Sequence, residues 1–409
     1  MSKHDPYAAL RFPEFRYFIL TRFLTTIALQ IQAVVVSWKI YELTKNPLSL
    51  GLIGLSEAIP ALSVALYAGY VVDKNDRRKV VFASLFLLFI CSAALFLSTA
   101  YSFTGLVSLM YAIIFISGIA RGFLAPSIFT LMAQIVPREI YANSTTWNSS
   151  SWQIGAVAGP AIGGLMYGLF GATITLSVTV ALLLISLFCV MAIKSKGIPI
   201  VEKRERMIDS LTEGIRFVFS NKIMLGALTL DLFAVLFGGA VALLPIFAKD
   251  ILLTGPMGLG ILRAAPSVGA FATMITMAYF PPMKNAGRNL LLCVAGFGVC
   301  MILFGLSTNF FLSIIILVLS GAFDSISVIV RSTIIQTMTP DNMRGRVSAV
   351  NAMFIGSSNE IGAFESGITA KWLGTVPSVV FGGAMTLFVV AYTSFKAPLL
   401  KKFSMEGIK

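Results

Sequence analysis

The sequence predicts an all-α membrane protein of twelve transmembrane helices, arranged as two six-helix repeats. Three observations carry this expectation. Of 409 residues, 57% are hydrophobic and only 12% charged, against about 25% charged in a soluble domain. Cutting the chain at charged and Pro/Gly/Asn breaks leaves twelve apolar stretches, each near the ~20 residues that a spanning helix needs. Finally, residues 118–171 lie on 321–374 without a gap at a shift of 203. Gly118, Thr130, Pro137, Asn148, Gly159, Gly164 and Gly171 meet Gly321, Thr333, Pro340, Asn351, Gly362, Gly367 and Gly374. Glycines and a proline repeated in register with the span boundaries point to duplicated halves. A smaller echo at a shift of 206 sets Gly54 and Pro60 on Gly260 and Pro266.

The spans are predicted at 15–43, 48–72, 80–100, 105–136, 147–170, 172–194, 222–248, 257–280, 289–307, 310–337, 347–370 and 374–396. The N-terminal MSKHDPYAALRFPEFR lacks the pattern of a cleaved signal, so the first span is expected to direct insertion. That span ends in the turn YELTKNPLS (Tyr41 to Ser49), and the second ends in GYVVDKNDRRKV (Gly69 to Val80). A short polar turn near Ser102 joins the third and fourth, and PREIYANSTTW leads into the fifth. The fifth span holds GAVAGPAIGG (Gly155 to Gly164), with Gly155, Gly159 and Gly163 on one helix face. Such a face lets another backbone approach closely, and Pro160 removes a donor and bends the helix there.

The sixth span ends at Lys194, which gives an N-terminal half 1–194, a linker 195–221 and a C-terminal half 222–409. Within the linker, Met207 to Phe219 has an apolar helical face. It reads equally as an amphipathic helix on the inner membrane surface and as a solvated linker helix.

The net charge of +13 invites a nucleic-acid reading, and topology removes it. With an even number of spans both termini share a side; that side holds 23 Lys and Arg, the other side 4, and the remaining 4 lie within spans. The positive-inside rule places both termini and the long linker in the cytoplasm of a multi-pass inner-membrane protein, with no nucleic-acid partner. Cys91, Cys189, Cys293 and Cys300 fall within spans and read as small apolar residues, and the lone His4 is in the tail, so no metal site is expected. No glycine-rich phosphate loop with its lysine is present, and no nucleophile–base set, so the chain is read as neither an ATPase nor an enzyme, and as needing no cofactor.

Local motifs carry a resemblance to the major facilitator superfamily over nearly the whole chain. GYVVDKNDRRKV resembles its loop 2–3 signature, with Asp76 where many members have glycine. Arg121 in GIARGFLAPS matches the fourth-helix arginine motif, and GAVAGPAIGG is similar to the fifth-helix motif of exporting antiporters. YELT at Tyr41–Thr44 and QTMTPDNMRGRVSAVN at Gln336–Asn351 further resemble the enterobactin-exporter and macrolide-efflux branch. One departure is that Thr26, Ala28 and Leu29 follow Arg22 where many relatives have an acid. The resemblance implies the major facilitator fold, in which spans 1, 4, 7 and 10 line a central cavity. It also implies that Asp73, with Arg77 and Arg78 beside it, latches one state against the start of span 11.

Charges inside spans are costly unless paired or hydrated. Here they are Arg22, Glu57, Arg121, Asp231, Arg263, Asp324, Arg331, Glu360 and Glu365. The repeat sets Arg121 on Asp324, Glu57 on Arg263 and Arg22 on Asp231, each of opposite charge. Arg22, Arg121, Asp231 and Asp324 are therefore expected as a polar constellation coupling protonation to conformation, with Gln30, Glu57, Arg263 and Glu360 as further cavity residues. Static ion pairs or snorkelling side chains are the alternative, with Arg331 the foremost snorkelling candidate. Gly155, Gly159, Pro160 and Gly163 are assigned to gating. Span 11 carries Glu360 and Glu365 where span 5 has Val157 and Ile162. The expected function is secondary active transport: proton-coupled efflux of an amphiphilic, drug-like small molecule by a monomer. A siderophore exporter, a lysophospholipid transporter and a non-transporting receptor or scaffold are the alternatives.

Overall fold

In the computed structural model the described residues are 5–101, 105–194, 207–279, 284–340 and 343–404, and among them helices and turns are the only elements. Twelve helices organise them. In the N-terminal part these are α1 (Pro13–Thr44), α2 (Pro47–Lys74), α3 (Arg77–Ala100), α4 (Leu106–Ile135) and α5 (Tyr141–Ala192). After the linker come α6 (Met207–Ser220), α7 (Lys222–Phe237), α8 (Gly255–Tyr279), α9 (Ala286–Leu306), α10 (Phe310–Met338), α11 (Arg344–Leu373) and α12 (Thr375–Lys396).

Their ends follow local chemistry. Pro13 and Pro47 open α1 and α2, where a missing N–H costs nothing. Asn46 Oδ1 accepts the Leu48 N–H at 3.1 Å, and Asp76 caps α3 by accepting the Arg78 N–H at 3.0 Å. Asn221 caps α7 through the N–H groups of Ile223 and Met224.

Ten helical segments are long and apolar enough to cross a membrane. Two features account for the difference from twelve expected spans. The 52-residue α5 is two arms, because Gly171 at φ +78° breaks its helical path. The 30-residue α11 is long enough but carries too many polar residues to qualify on composition. The seventh span is also interrupted: α7 stops at Gly238, and a 3₁₀ turn and a short π-helical stretch carry the chain on to Ile251. A Cβ on Gly239 would sit 2.6 Å from Ser366 Oγ and 2.8 Å from the Gly362 carbonyl oxygen, so α11 crosses at the break.

Packing divides the chain into two compact units. Unit 1 is Met1–Leu43, Ser56–Glu202 and Gly255–Ala264; unit 2 is Thr44–Leu55, Lys203–Thr254 and Ala265–Lys409. Two short segments are thus exchanged relative to a simple division at the linker. The first turns of α2 pack within unit 2, and the first turns of α8 pack within unit 1.

The linker region up to residue 206 lies outside the described residues. Beyond it, α6 packs on α11 and α7. Val218 is fully buried in a cluster with Met224, Leu228, Ile335, Val347 and Val350, and Glu213 ion-pairs with Arg346 at 2.5 Å. Ile215 and Phe219 on the same helix remain exposed.

Candidate functional site

In unit 1, the intramembrane charges gather at Glu57. Arg121 on α4 forms an ion pair with Glu57 on α2, with both side chains about a quarter exposed. The approach is possible because Gly118, one turn earlier on α4, lies against α2, where a Cβ would stand 2.7 Å from Pro60. Arg263, on the exchanged segment of α8, donates from a terminal nitrogen to Ser37 Oγ at 3.4 Å and lies within electrostatic reach of Glu57. Glu57 is thus ion-paired with one guanidinium group, Arg121, and within electrostatic reach of a second, Arg263. Arg22 on α1 is half-buried, and its Nε has no hydrogen-bond partner among the described residues.

Gly155, Gly159 and Gly163 of α5 all face α1. A Cβ there would meet Thr26 at 2.9 Å, the Gln30 side chain at 2.6 Å and the Ile31 Cα at 3.0 Å. Gln30 is thereby fixed against α5. Gly164 continues the contact on the exchanged segment, 2.6 Å from Gly260 Cα by the same measure. Pro160 is buried within α5, and non-helical backbone occurs at Gly171, not at the proline. The break at Gly171 falls at the boundary expected between the fifth and sixth spans.

The motif after α2 pins helix ends. An Arg77 terminal nitrogen donates to the Thr130 carbonyl at 3.2 Å, while Arg78 donates to the Val190 and Met191 carbonyls at 3.1 and 2.6 Å. These cations sit near the C-terminal ends of α4 and α5, where the helix dipole favours positive charge. Asp73 is half-buried near the end of α2.

Unit 2 arranges its charges differently. Asp231 on α7 and Arg331 on α10 form an ion pair, with side chains 7% and 2% exposed. This corrects two expectations: Arg331 is sealed inside rather than snorkelling, and Asp231 is committed to it. Arg121, likewise, has its carboxylate in Glu57. The constellation of Arg22, Arg121, Asp231 and Asp324 is therefore replaced by separate pairings within each unit. Asp324 on α10 is half-buried, and no ion pair to it occurs among the described residues. Glu360 on α11 is half-buried, its Oε2 3.1 Å from where a Gly54 Cβ would stand; Glu365 bonds to the neighbouring Ser366.

Two amides complete the set. Asn148 on α5 and Asn351 on α11 are repeat equivalents, and the Oδ1 of each is buried with no partner among the described residues. Buried acceptors normally find donors, so both are open to a ligand or water.

Sequence reasoning missed the Arg331–Asp231 pair and the role of Ser37. Arg331 carried a usable signal, an arginine well inside a span with an acid in the same half; Ser37 carried none. It also missed the docking of the N-terminal segment, where Asn143 and Trp147 both donate to the Pro6 carbonyl, at 2.7 and 3.0 Å.

Comparison with known proteins places this architecture. A family model described as transmembrane secretion effector matches residues 4–407. The enterobactin exporter EntS of Escherichia coli O1:K1 / APEC is 25% identical over 343 residues, 83% of this chain and 80% of that protein. Its counterpart from Shigella boydii serotype 4 (strain Sb227) is 26% identical over 345 residues, with the same coverage. Among solved structures, a bacterial homologue of the human lysosomal transporter Spinster superposes with a TM-score of 0.74, at 13% identity, covering 96% of this chain and 98% of that one. A bacterial homologue of the iron transporter ferroportin gives 0.71 at 16% identity, covering 95% and 99%. At such identities these two structures support the fold alone.

Proposed function

Because the chain belongs to the transmembrane secretion effector family of major facilitator transporters, we propose that it exports a siderophore-like amphiphilic small molecule from the cytoplasm, driven by the proton gradient. The observation that carries the coupling is Glu57, an intramembrane acid ion-paired with Arg121 and within electrostatic reach of Arg263. Charge is retained inside a span where a transport path or proton relay uses it. Protonating Glu57 removes the anion that Arg121 pairs with, so the cluster must rearrange when the proton arrives. Asp324 is the second proton site, since no ion pair neutralises it among the described residues. The enterobactin exporters that this chain resembles along most of its length favour a siderophore over a general drug. Each unit carries a buried amide acceptor, Asn148 in one and Asn351 in the other, of the kind that hydroxyl-rich ligands satisfy with their donors. The charge bias sets the protein in the inner membrane with both termini cytoplasmic.

The test uses the purified protein in liposomes with an imposed pH gradient and enterobactin as probe. Wild type is expected to accumulate the probe, and Glu57→Gln is expected to abolish gradient-driven accumulation while retaining exchange at equal pH. Wild-type driven transport in both Glu57→Gln and Asp324→Asn would overturn proton coupling through these acids. Failure of the wild type to move enterobactin, with transport of another amphiphile intact, would overturn the substrate class alone.

A further inference from the structure

Unit 2 carries a groove that the transport reading does not use. It runs between α7 and α12, has a volume of about 680 Å³, and is floored at one end by Pro398 and Leu399. That is inside the ~300–1,000 Å³ range of small-molecule sites. Its walls are apolar and aromatic: Phe233 and Phe237 stack along α7, and Phe388 and Tyr392 along α12. Phe388 is 61% and Tyr392 56% exposed, so the groove opens outwards. From Lys222 to Phe237 the wall is about 22 Å long, more than the ~15 Å hydrocarbon depth of one leaflet.

The polar ends are asymmetric. Lys222, at the start of α7, and Lys396, at the end of α12, stand together at one mouth, both exposed. The N-terminal end of α7 adds its partial positive charge at the same place. Among the described residues, no acid lines the groove. A hydrocarbon slot with a doubly cationic mouth at headgroup level matches one chemistry. We infer that this groove holds an anionic phospholipid of the surrounding bilayer, an acyl chain along Phe233, Phe237, Phe388 and Tyr392 and the phosphate at Lys222 and Lys396. Tyr392 and Thr393 supply hydroxyl groups between the two regions.

The experiment places a reporter in the groove by Phe388→Trp in the full-length protein. The protein is reconstituted in phosphatidylcholine vesicles doped with brominated phosphatidylglycerol or brominated phosphatidylcholine. Quenching of the added fluorescence, over that of the parent, measures which lipid occupies the groove. Phosphatidylglycerol is expected to be preferred by about five-fold for each lysine, the value of one basic residue near an anionic headgroup. Lys222→Gln with Lys396→Gln should bring the preference close to one, and each single change should remove about half of it on a logarithmic scale. Both lysines are exposed, so thermal unfolding should be unchanged and will verify the fold. Lys401→Gln with Lys402→Gln, nearby but outside the groove, should leave the preference intact. Equal quenching of the added tryptophan by the two lipids with both lysines present, or an equal loss from the outside pair, would overturn the inference.

Discussion

The two units use one backbone skeleton twice and charge it differently. On α5, Gly159 lies 3.2 Å, as an added Cβ would measure it, from the Ile27 carbonyl oxygen of α1; on α11, its equivalent Gly362 lies 2.8 Å from that of Leu236 on α7. Gly164 meets Gly260 Cα at 2.6 Å, and Gly367 meets Gly51 Cα at 2.8 Å. The latter two crossings each join a long helix to an exchanged segment. The charges do not repeat. Unit 1 keeps a partly exposed carboxylate paired with Arg121 and near Arg263, whereas unit 2 seals Asp231 against Arg331. Helix crossings are fixed by backbone sterics, which a duplicated fold retains, while a buried charge needs only some partner, and that partner can change.

The sealed pair gives the largest expected effect. Asp231→Asn or Arg331→Met leaves an uncompensated charge in the interior, at a cost of about 3–5 kcal/mol. The double change Asp231→Leu with Arg331→Met should recover most of that loss, since apolar side chains replace both ions. Glu57→Gln should cost clearly less, because Glu57 and Arg121 are about a quarter exposed rather than sealed inside. Thermal unfolding in detergent measures all four. If Glu57→Gln destabilises as much as Asp231→Asn, the contrast between a sealed and an open site fails.

The glycine crossings should instead behave alike. Gly164→Ala and Gly367→Ala each drive a methyl into opposing backbone, which cannot rotate away, so each should cost about 1–3 kcal/mol. Gly356→Ala, in α11 with open space at its Cβ position, is the control and should be neutral or slightly stabilising. Unequal losses at the two crossings, measured by the same unfolding assay, would show that the units do not share a packing skeleton.

This contrast also sets what could be read from the chain. The repeat was legible because its anchors are steric. Gly171 and Gly374, matched by register alone, both adopt positive φ, +78° and +93°, at equivalent turns. The glycine face of GAVAGPAIGG was legible for the same reason, although its partner, α1, was not. The charges were legible as a set but not as pairs. Register sets Arg121 on Asp324, yet which carboxylate Arg121 reaches depends on where Gly118 lets α2 approach, a three-dimensional fact with no periodicity. The exchange of 44–55 and 255–264 between units was equally invisible, since which helix a segment packs on leaves no local pattern in the sequence. For α6 the amphipathic face was plain, but period alone does not distinguish a lipid surface from a protein one.

The segments that precede each repeat give the smallest effect and a sharp check. Asn143 and Arg346 are equivalent at the shift of 203. Asn143 holds the N-terminal segment, accepting the Ala9 N–H at 3.0 Å and donating to the Pro6 carbonyl at 2.7 Å. Arg346 holds α6 through Glu213, whose side chain is 54% exposed. The same position therefore anchors the leader of each repeat, once by an amide and once by an ion pair. Asn143→Ala should cost about 0.5–1.5 kcal/mol, the net worth of intramolecular hydrogen bonds, and show little salt dependence. Glu213→Gln should cost at most about 1 kcal/mol at low ionic strength and less at high salt, because an exposed pair is screened. Unfolding at two salt concentrations separates them: a salt-independent loss from Glu213→Gln would mean that α6 is held by its apolar face around Val218 alone, and that the two anchors are equivalent in position but not in work.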